Sequence, residues 1–311
     1  MLDSLGFLLV ALILAILAFR HFRRRRAQPY EPAVARIEGG GIKRGLTPPE
    51  GAVVLGRPLN VTLTLVIFEM LRKGFLHQVA AAPLTVEVAE AFRTQGSGLS
   101  AQARGDKRRQ AAQAVRGTLH LYEEPFLEII ETNPGAPVHE LDLGVAVQPL
   151  VRYVAGRVGG YDLEETREYY RLIIERAPRE ARSDGKLTFE RQRVFDRNFG
   201  WVLLGEDFGS VLDQPDYSYV PVWQRRGGAG QDGEREGELR SIGAGEQETG
   251  VSPMHPGTPA PFLSFAAWAK EVMASMEGVV DEADVKLRLG GETDAVTATL
   301  MSDIGRATFY G

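Results

Sequence analysis

Residues 47–88 read TPPEGAVVLGRPLNVTLTLVIFEMLRKGFLHQVAAAPLTVEV, and this stretch decides the fold that we expect for the chain. The segment Thr47-Pro48-Pro49-Glu50 predicts a helix start, because a threonine cap, a proline in the first turn and a glutamate three residues after the cap form a capping box. A short helix should therefore run to about Leu55. Gly56 and Pro58 are expected to end it, since neither residue suits a helix interior.

A second helix and a β-hairpin are expected to complete this stretch. Asn60 is the predicted cap of the second helix, which should end at Lys73 and is apolar around most of its circumference. The residues that follow predict strands at 75–79 and 84–88, the second of which alternates apolar and polar side chains. Two helices and a two-stranded hairpin form the skeleton of a winged helix, so residues 47–92 are predicted to be a winged-helix-like module.

The same stretch resembles the YciQ-like predicted membrane proteins, a bacterial family of unknown function. The resemblance depends on Pro49-Glu50 at the helix start and on Leu71–Leu76, which read LRKGFL where the apolar helix meets the hairpin. It covers residues 47–88 and, more loosely, the helices up to Ala177. The resemblance implies a winged-helix-like cytoplasmic segment but no activity, because the family has none established. This chain departs from the family in having one evident membrane span and no extracytoplasmic domain before it.

A helical subdomain is expected over residues 93–224. Its apolar periodicity predicts three helices, at 118–131, 141–158 and 162–177. Pro178 is expected to stop the third helix, because the residue before a proline disfavours the helical conformation. The basic run Arg104–Arg109 is predicted to be a solvated loop or a helix start, with a second contact to lipid head groups as the alternative.

The C-terminal part of the chain is expected to be a tether followed by an amphipathic helix. Residues 225–261 contain nine glycines and almost no large apolar side chain, so they should be disordered. Residues 262–311 are predicted to form the helix and a tail of undetermined structure. Its apolar face could dock on the core, bind a groove of a protein partner or lie on the membrane. The predicted partner-contact residues on that face are Phe265, Trp268, Val272 and Met276.

The first 26 residues predict a membrane anchor. They read MLDSLGFLLVALILAILAFRHFRRRR, with no charge from Leu5 to Phe19 and an apolar run of about 18 residues if it is counted to Phe22. A cleaved signal peptide is disfavoured, because its positive charge would precede the apolar stretch. The positive-inside rule instead predicts a single-pass span of the inner (cytoplasmic) membrane, with the N-terminus outside. The arginines that close the run are Arg23, Arg24, Arg25 and Arg26.

Residues 27–46 then form the predicted juxtamembrane linker, and the body beyond it is expected to be cytoplasmic. The formal net charge is −5 although five arginines lie at the anchor, so the body is more acidic than this total. Anionic lipid head groups are therefore expected to contact the anchor arginines, while the body stands off the membrane. The chain has no cysteine, which excludes disulfides, thiolate metal sites and cysteine nucleophiles.

The sequence shows no catalytic motif, no metal-ligand pattern and no cofactor fingerprint. His120 with Glu123 and Glu124 is interpreted as a half-exposed charged surface, and so is His139 with its neighbours Glu140 and Asp142. A deep polar pocket containing His120, Glu123 and Tyr170 would instead favour an enzyme. A small-molecule ligand cannot be assigned from the sequence.

The expected fold class is mainly α (α+β), with an N-terminal transmembrane helix. The expected function is a non-enzymatic, membrane-tethered scaffold or adaptor that binds a protein partner through its winged-helix-like and helical modules. Nucleic-acid binding is not expected, because the second helix carries cations only in its last turn. A membrane-bound winged-helix transcriptional regulator and a subunit of a membrane enzyme complex are the alternatives.

Overall fold

The structure is a computed structural model, and it describes residues 41–95, 98–115, 117–182, 188–214, 217–228, 264–279 and 294–310. The predicted membrane anchor, most of the juxtamembrane linker and nearly all of the predicted tether lie outside these residues. Within the described ranges, no helix combines the length and the apolar character needed to cross a membrane.

The described chain is mainly helical and begins with two helices and a hairpin. Helix α1 is Pro48–Val54, helix α2 is Leu59–Lys73, strand β1 is Leu76–Ala81 and strand β2 is Leu84–Val88. The two strands are antiparallel, with Leu76 opposite Val88 and Ala81 opposite Leu84. The order and approximate bounds of these four elements agree with the prediction from residues 47–88.

Local chemistry explains where α1 and α2 begin and end. The carboxylate of Glu50 accepts a hydrogen bond from the Thr47 N–H at 2.7 Å, as a capping box requires. Helix α2 begins at Leu59, two residues earlier than predicted, so Asn60 is not its cap. The Asn60 amide donates instead to the Met273 carbonyl at 3.1 Å. Gly74 ends α2 with φ = 77°, a left-handed conformation that favours glycine.

The remaining elements are mostly helices, which surround α2 and the hairpin. They are α3 (Ala101–Ala114), α4 (Glu123–Thr132), α5 (Gly144–Val158), α6 (Leu163–Arg182), α7 (Thr188–Leu203), α8 (Phe208–Leu212), β3 (Asp213–Gln214), β4 (Tyr217–Ser218), α9 (Val222–Gly228), α10 (Phe265–Ser275) and α11 (Ala295–Tyr310), with single 3₁₀ turns at Glu90–Phe92 and Val138–Glu140. Helix α9 extends into the segment that was predicted to be disordered from residue 225. The predicted tail contains α11.

Two sequence-based expectations about the helices, the stop at Pro178 and the start of α4, are wrong, and one that was left open is decided. Helix α6 continues through Pro178 to Arg182, where it packs against α7. For the basic run Arg104–Arg109, predicted to be a solvated loop or a helix start, the structure has the helix: the run lies near the start of α3. Helix α4 begins at Glu123 and not at Thr118, because the Glu123 carboxylate accepts the His120 N–H at 2.8 Å and caps a turn ahead of the helix.

The hydrophobic core is one continuous cluster that extends from Leu46 to Ile304. Helix α2 lies at its centre and is in contact with α7, α9, α10 and α11. The ring of Phe68 on α2 lies 5.7 Å from that of Trp223, 6.0 Å from that of Phe265 and 5.2 Å from that of Trp268. The segments predicted as module, subdomain and C-terminal helix therefore share one core.

The prediction that helix α10 presents a partner-binding face is corrected by this packing. Phe265, Trp268, Val272 and Met276 are all less than 5% exposed, because they lie on α2 and its neighbours. The indole N–H of Trp268 also donates to the Ala81 carbonyl in the hairpin at 2.8 Å. Of the three placements considered for this helix, the structure has the one in which it docks on the core.

Candidate functional site

The segment Gly41–Thr47, called the strap below, joins the predicted juxtamembrane linker to α1. Its backbone is fixed along α5, α6 and the turn between them by four hydrogen bonds. The donors and acceptors are Asp162 N–H to the Gly41 carbonyl (2.9 Å), Lys43 N–H to the Thr166 hydroxyl (3.0 Å), the Arg157 guanidinium to the Gly45 carbonyl (2.9 Å) and Leu46 N–H to the Tyr170 hydroxyl (2.8 Å). Both ends of the strap are thus attached to the body.

The basic side chains of the strap lie against aromatic rings. The Lys43 ammonium is 4.7 Å from the centroid of the Tyr161 ring, and the Arg44 guanidinium is 5.7 Å from that of Tyr169. Such cation–π contacts contribute about 0.5–1 kcal/mol at exposed sites. These contacts therefore stabilise the strap in addition to the four hydrogen bonds to its backbone.

A group of ionisable side chains, called the buried cluster below, lies at the C-terminal end of the strap. It is built from α1, the end of α2, the turn before α4, and α5. Glu50 and Glu123 are fully buried. The members of the cluster are Glu50, Lys73, His120, Tyr122, Glu123, Tyr153 and Arg157.

Each buried carboxylate in this cluster has a cationic partner. The Lys73 ammonium lies 2.6 Å from the Glu123 carboxylate, and the Arg157 guanidinium binds that of Glu50. Burying one charge alone would cost several kcal/mol, so the pairing is what permits both carboxylates to be inside. The cluster is consequently close to neutral overall.

His120 lies at the partly exposed edge of the cluster. Its ring stacks on Tyr122 with centroids 5.3 Å apart, and its Nδ1 is 3.3 Å from the Tyr153 hydroxyl. Burial, together with the charges of Lys73 and Arg157, lowers the pKa of His120 to about 4. The imidazole is therefore neutral near pH 7.

One carboxylate oxygen in the cluster is left without a partner. Glu50 Oε1 is buried and has no hydrogen bond among the described residues, while His120 Nδ1 lies 4.0 Å from it. Glu50 Oε2, by contrast, accepts from both Thr47 and Arg157.

Two other pKa shifts follow from burial. Burial raises the pKa of Glu123, against the opposing effect of the Lys73 charge. Burial also raises the pKa of Tyr170 to about 12, so its hydroxyl stays protonated and accepts the Leu46 N–H as a neutral group. Tyr170 therefore supports the strap, whereas Glu123 binds Lys73 and the His120 N–H within the cluster.

The structure brings together only some of the residues that the sequence singled out. His120 and Glu123 meet in the cluster, and Tyr170 binds the strap beside it. Glu124 instead pairs with Arg109 at 2.9 Å. His139 lies 3.8 Å from Glu140. In the described part of the chain, no group of three or more His, Asp or Glu side chains is placed to hold a metal ion.

Sequence reasoning missed Lys73 and Arg157, and it assigned Glu50 only a capping role. The sequence signal for Glu50 was its place in the capping box. Nothing local marks Arg157, since its partners lie about a hundred residues earlier in the chain. A residue pair separated this far is brought together by tertiary packing alone.

The three arginines of the basic run on α3 pair with carboxylates of the fold, and Lys107 donates to the Arg93 carbonyl. Arg104 pairs with Glu128 at 3.0 Å, and Arg108 pairs with Glu131. Because these carboxylates belong to α4, the basic side of α3 is used to hold the two helices together. This pairing weakens the alternative that the run contacts lipid head groups.

The fold and the site define a mainly helical protein whose N-terminal strap is fixed beside a buried, charge-paired cluster. Comparisons with protein-family models, with curated proteins and with solved structures find no match.

Proposed function

We propose that this protein is a membrane-tethered cytoplasmic scaffold or adaptor. Residues 1–26 would anchor it in the inner membrane, with Arg23–Arg26 at the anionic head groups and the body in the cytoplasm. The observation that carries this proposal is the strap, because a tether can position a body only if it is attached to that body firmly. Four hydrogen bonds to the backbone of the strap, three of them with side chains of α5 and α6, provide this attachment.

The strap also limits how far the body could move from the membrane. With residue 41 fixed to the body, residues 27–40 are the length of chain between the anchor and the fold. At 3.3–3.6 Å for each extended residue, they reach at most about 50 Å. Any protein partner bound to the body would therefore be held within one or two protein diameters of the membrane surface.

The winged-helix-like reading of residues 47–92 is part of the same proposal. The order of α1, α2, β1 and β2 supports it, as does the resemblance of this stretch to the YciQ-like proteins. A regulator that reads DNA is less well supported than a scaffold. The cations at the end of α2, Arg72 and Lys73, bind Glu69 and Glu123 and so are not free for phosphates.

An enzyme subunit is also less well supported, although His120 and Glu123 do meet. Their neighbourhood is charge-paired, and the neutral imidazole lies between aromatic rings. A catalytic acid or base needs a pKa near the working pH. The pKa of His120, at about 4, is far below neutral pH.

Cell fractionation and reporter fusions test the tether. The full chain should sediment with membranes after an alkaline wash, and a variant lacking residues 2–26 should remain in the supernatant. A fluorescent protein fused after Gly311 should be active, and alkaline phosphatase at the same place should not. Arg23–Arg26 replaced by alanine is the matched control, which should stay in the membrane but lose its uniform orientation. A full chain found in the supernatant would overturn the proposal.

Cross-linking in native membranes tests the adaptor. Proteins cross-linked to the full chain are compared with those cross-linked to residues 1–40 alone, expressed at the same level. We expect a set that depends on the body. Identical sets would mean that the body recruits no protein, and the scaffold function would then be abandoned while the tether could stand.

A further inference from the structure

A cleft lies between α6, the α7–α8 loop and the turn from α1 to α2. Its volume is about 710 Å³, within the range of about 300–1,000 Å³ that is typical of small-molecule sites. Apolar side chains from three helices and the turn contribute to its lining. They are Leu55, Ile174, Val202, Phe208 and Val211.

Charged side chains of both signs share this lining. The three cations are Arg57, Arg171 and Arg179, and the three carboxylates are Glu175, Glu206 and Asp207. Arg171, Glu175 and Arg179 are four residues apart on α6 and so form one line along the helix. The continuation of α6 past Pro178 is what brings Arg179 to the cleft.

Three of these six charged side chains already have a hydrogen-bond or ion-pair partner within the fold. Arg57 donates to the Leu204 carbonyl at 3.1 Å, Arg171 pairs with Glu168 at 3.2 Å, and Asp207 accepts the Ser210 hydroxyl at 2.7 Å.

The other half have no such partner. Arg179, Glu175 and Glu206 form no side-chain hydrogen bond or ion pair with the described residues, although Glu175 and Arg179 are only one helical turn apart. One cation and two carboxylates therefore remain available to a ligand, next to an apolar surface.

This combination specifies the chemistry of the ligand. A simple anion would be attracted to Arg179 but repelled by Glu175 and Glu206, and a simple cation would meet the reverse problem. An apolar molecule without charge would contact the apolar lining but would make no charge-assisted hydrogen bond with Arg179, Glu175 or Glu206. A molecule with an ammonium group, a carboxylate and an apolar body satisfies all three features.

We propose that this cleft binds a zwitterionic, amphipathic small molecule, namely an apolar amino acid or a short apolar peptide with free ends. Its carboxylate binds Arg179, its ammonium binds Glu175 or Glu206, and its side chains lie against Leu55, Ile174 and Phe208. The site lies wholly within the described body, so it does not depend on the membrane tether or on the scaffold function.

Titration calorimetry on the full chain in mild detergent tests this site with three matched probes. They are trileucine, N-acetyl-trileucine and trileucine amide, and free leucine is added to separate an amino-acid site from a peptide site. Trileucine should bind, and blocking either end should weaken its binding about tenfold, the effect of losing one charge-assisted contact. Whichever of leucine and trileucine binds more tightly identifies the natural length class.

Two variants assign the ends of the ligand. Arg179→Gln should weaken trileucine binding and remove the preference for trileucine over its amide. Glu175→Gln should remove the preference for trileucine over N-acetyl-trileucine. If Glu206 also binds the ammonium, this preference should be reduced but not removed. Arg176→Gln is the control, because Arg176 is exposed on the same helix but does not line the cleft. It should bind all probes as the unmodified chain does.

Several outcomes would overturn the proposal. They are equal affinity for all three trileucine probes, no binding of any probe at millimolar concentration, or a loss of binding in Arg176→Gln as large as in Arg179→Gln. Laurate, an apolar monoanion, is included as a competitor. Tighter binding of laurate than of trileucine at this cleft would make it a fatty-acid site and contradict the zwitterion.

Discussion

His120 shows how a single residue in the buried cluster couples folding to pH. Its pKa is about 4 in the folded chain and would be about 6.5 in the unfolded chain. Between these values the unfolded chain binds a proton at this site and the folded chain does not. The unfolded state is therefore favoured as the pH falls from 6.5 towards 4, and the free energy of unfolding should decrease in that window.

A His120→Asn variant isolates this effect. From pH 7 to pH 4.5 the unmodified chain should lose about 1–2 kcal/mol more of unfolding free energy than the variant, after allowance for solvent screening at this partly exposed ring. Chemical denaturation at several pH values measures it. All other titrating groups are common to both proteins, so any difference in the pH dependence of the unfolding free energy comes from His120. If that pH dependence were the same in both proteins, the pKa of His120 would not be lowered by folding.

The Lys73–Glu123 pair makes a second prediction at this scale. Lys73→Met should destabilise the chain by about 3–5 kcal/mol, because it leaves the fully buried Glu123 carboxylate without its cation. A double variant, Lys73→Met with Glu123→Gln, should regain part of this loss. Denaturant unfolding compares both with Arg104→Met, which breaks an exposed pair with Glu128 and should cost less than about 1 kcal/mol. Equal losses in Lys73→Met and Arg104→Met would contradict a structural role for the buried pair.

At the scale of elements, two hydroxyls of α6, those of Thr166 and Tyr170, accept hydrogen bonds from the strap backbone. Tyr170→Phe removes the acceptor of the Leu46 N–H but keeps the buried ring, so about 1 kcal/mol of local stability should be lost. Hydrogen–deuterium exchange should speed up at residues 43–47 and change little elsewhere. The control is Tyr169→Phe, whose hydroxyl forms no hydrogen bond among the described residues. Unchanged exchange in Tyr170→Phe would mean that other contacts hold the strap.

Elements whose signals are local could be predicted from the sequence, and those that depend on packing could not. The capping box before α1, the glycine after α2 and the alternation in β2 each specify a nearby boundary. The predicted stop at Pro178 is wrong because it considered only the local cost of a proline inside a helix. In the fold, packing against α7 stabilises α6 beyond this residue. The start of α4 is an exception: it was missed although its signal is local, since the His120 N–H donates to the Glu123 carboxylate only three residues later.

At the scale of the whole molecule, the core is completed by a helix from the far end of the chain. Trp268 on α10 stacks on Phe68 and binds the hairpin carbonyl of Ala81. Trp268→Ala should therefore cost about 3–5 kcal/mol in unfolding free energy and destabilise the chain as a unit. Glu271→Ala, an exposed change on the same helix, should cost no more than about 0.5 kcal/mol.

Thermal unfolding followed by both near- and far-ultraviolet circular dichroism measures this effect. If α10 belongs to the shared core, both signals should shift together in Trp268→Ala. A stable body with an unchanged melting temperature would mean that α10 is an independent segment. Its face would then become available to a protein partner, as the amphipathic pattern alone had suggested.

The sequence by itself determined the helix–helix–hairpin order, the mainly helical class and the expectation of an arginine-closed anchor, because these follow from patterns within a few residues. Only the tertiary structure decided that α10 is buried, that Arg157 meets Glu50, and that the strap is fixed to α5 and α6. The physical reason is distance along the chain. An amphipathic helix face requires an apolar surface, and a partly buried arginine requires a carboxylate. Which distant segment provides that surface or carboxylate depends on how the whole chain packs.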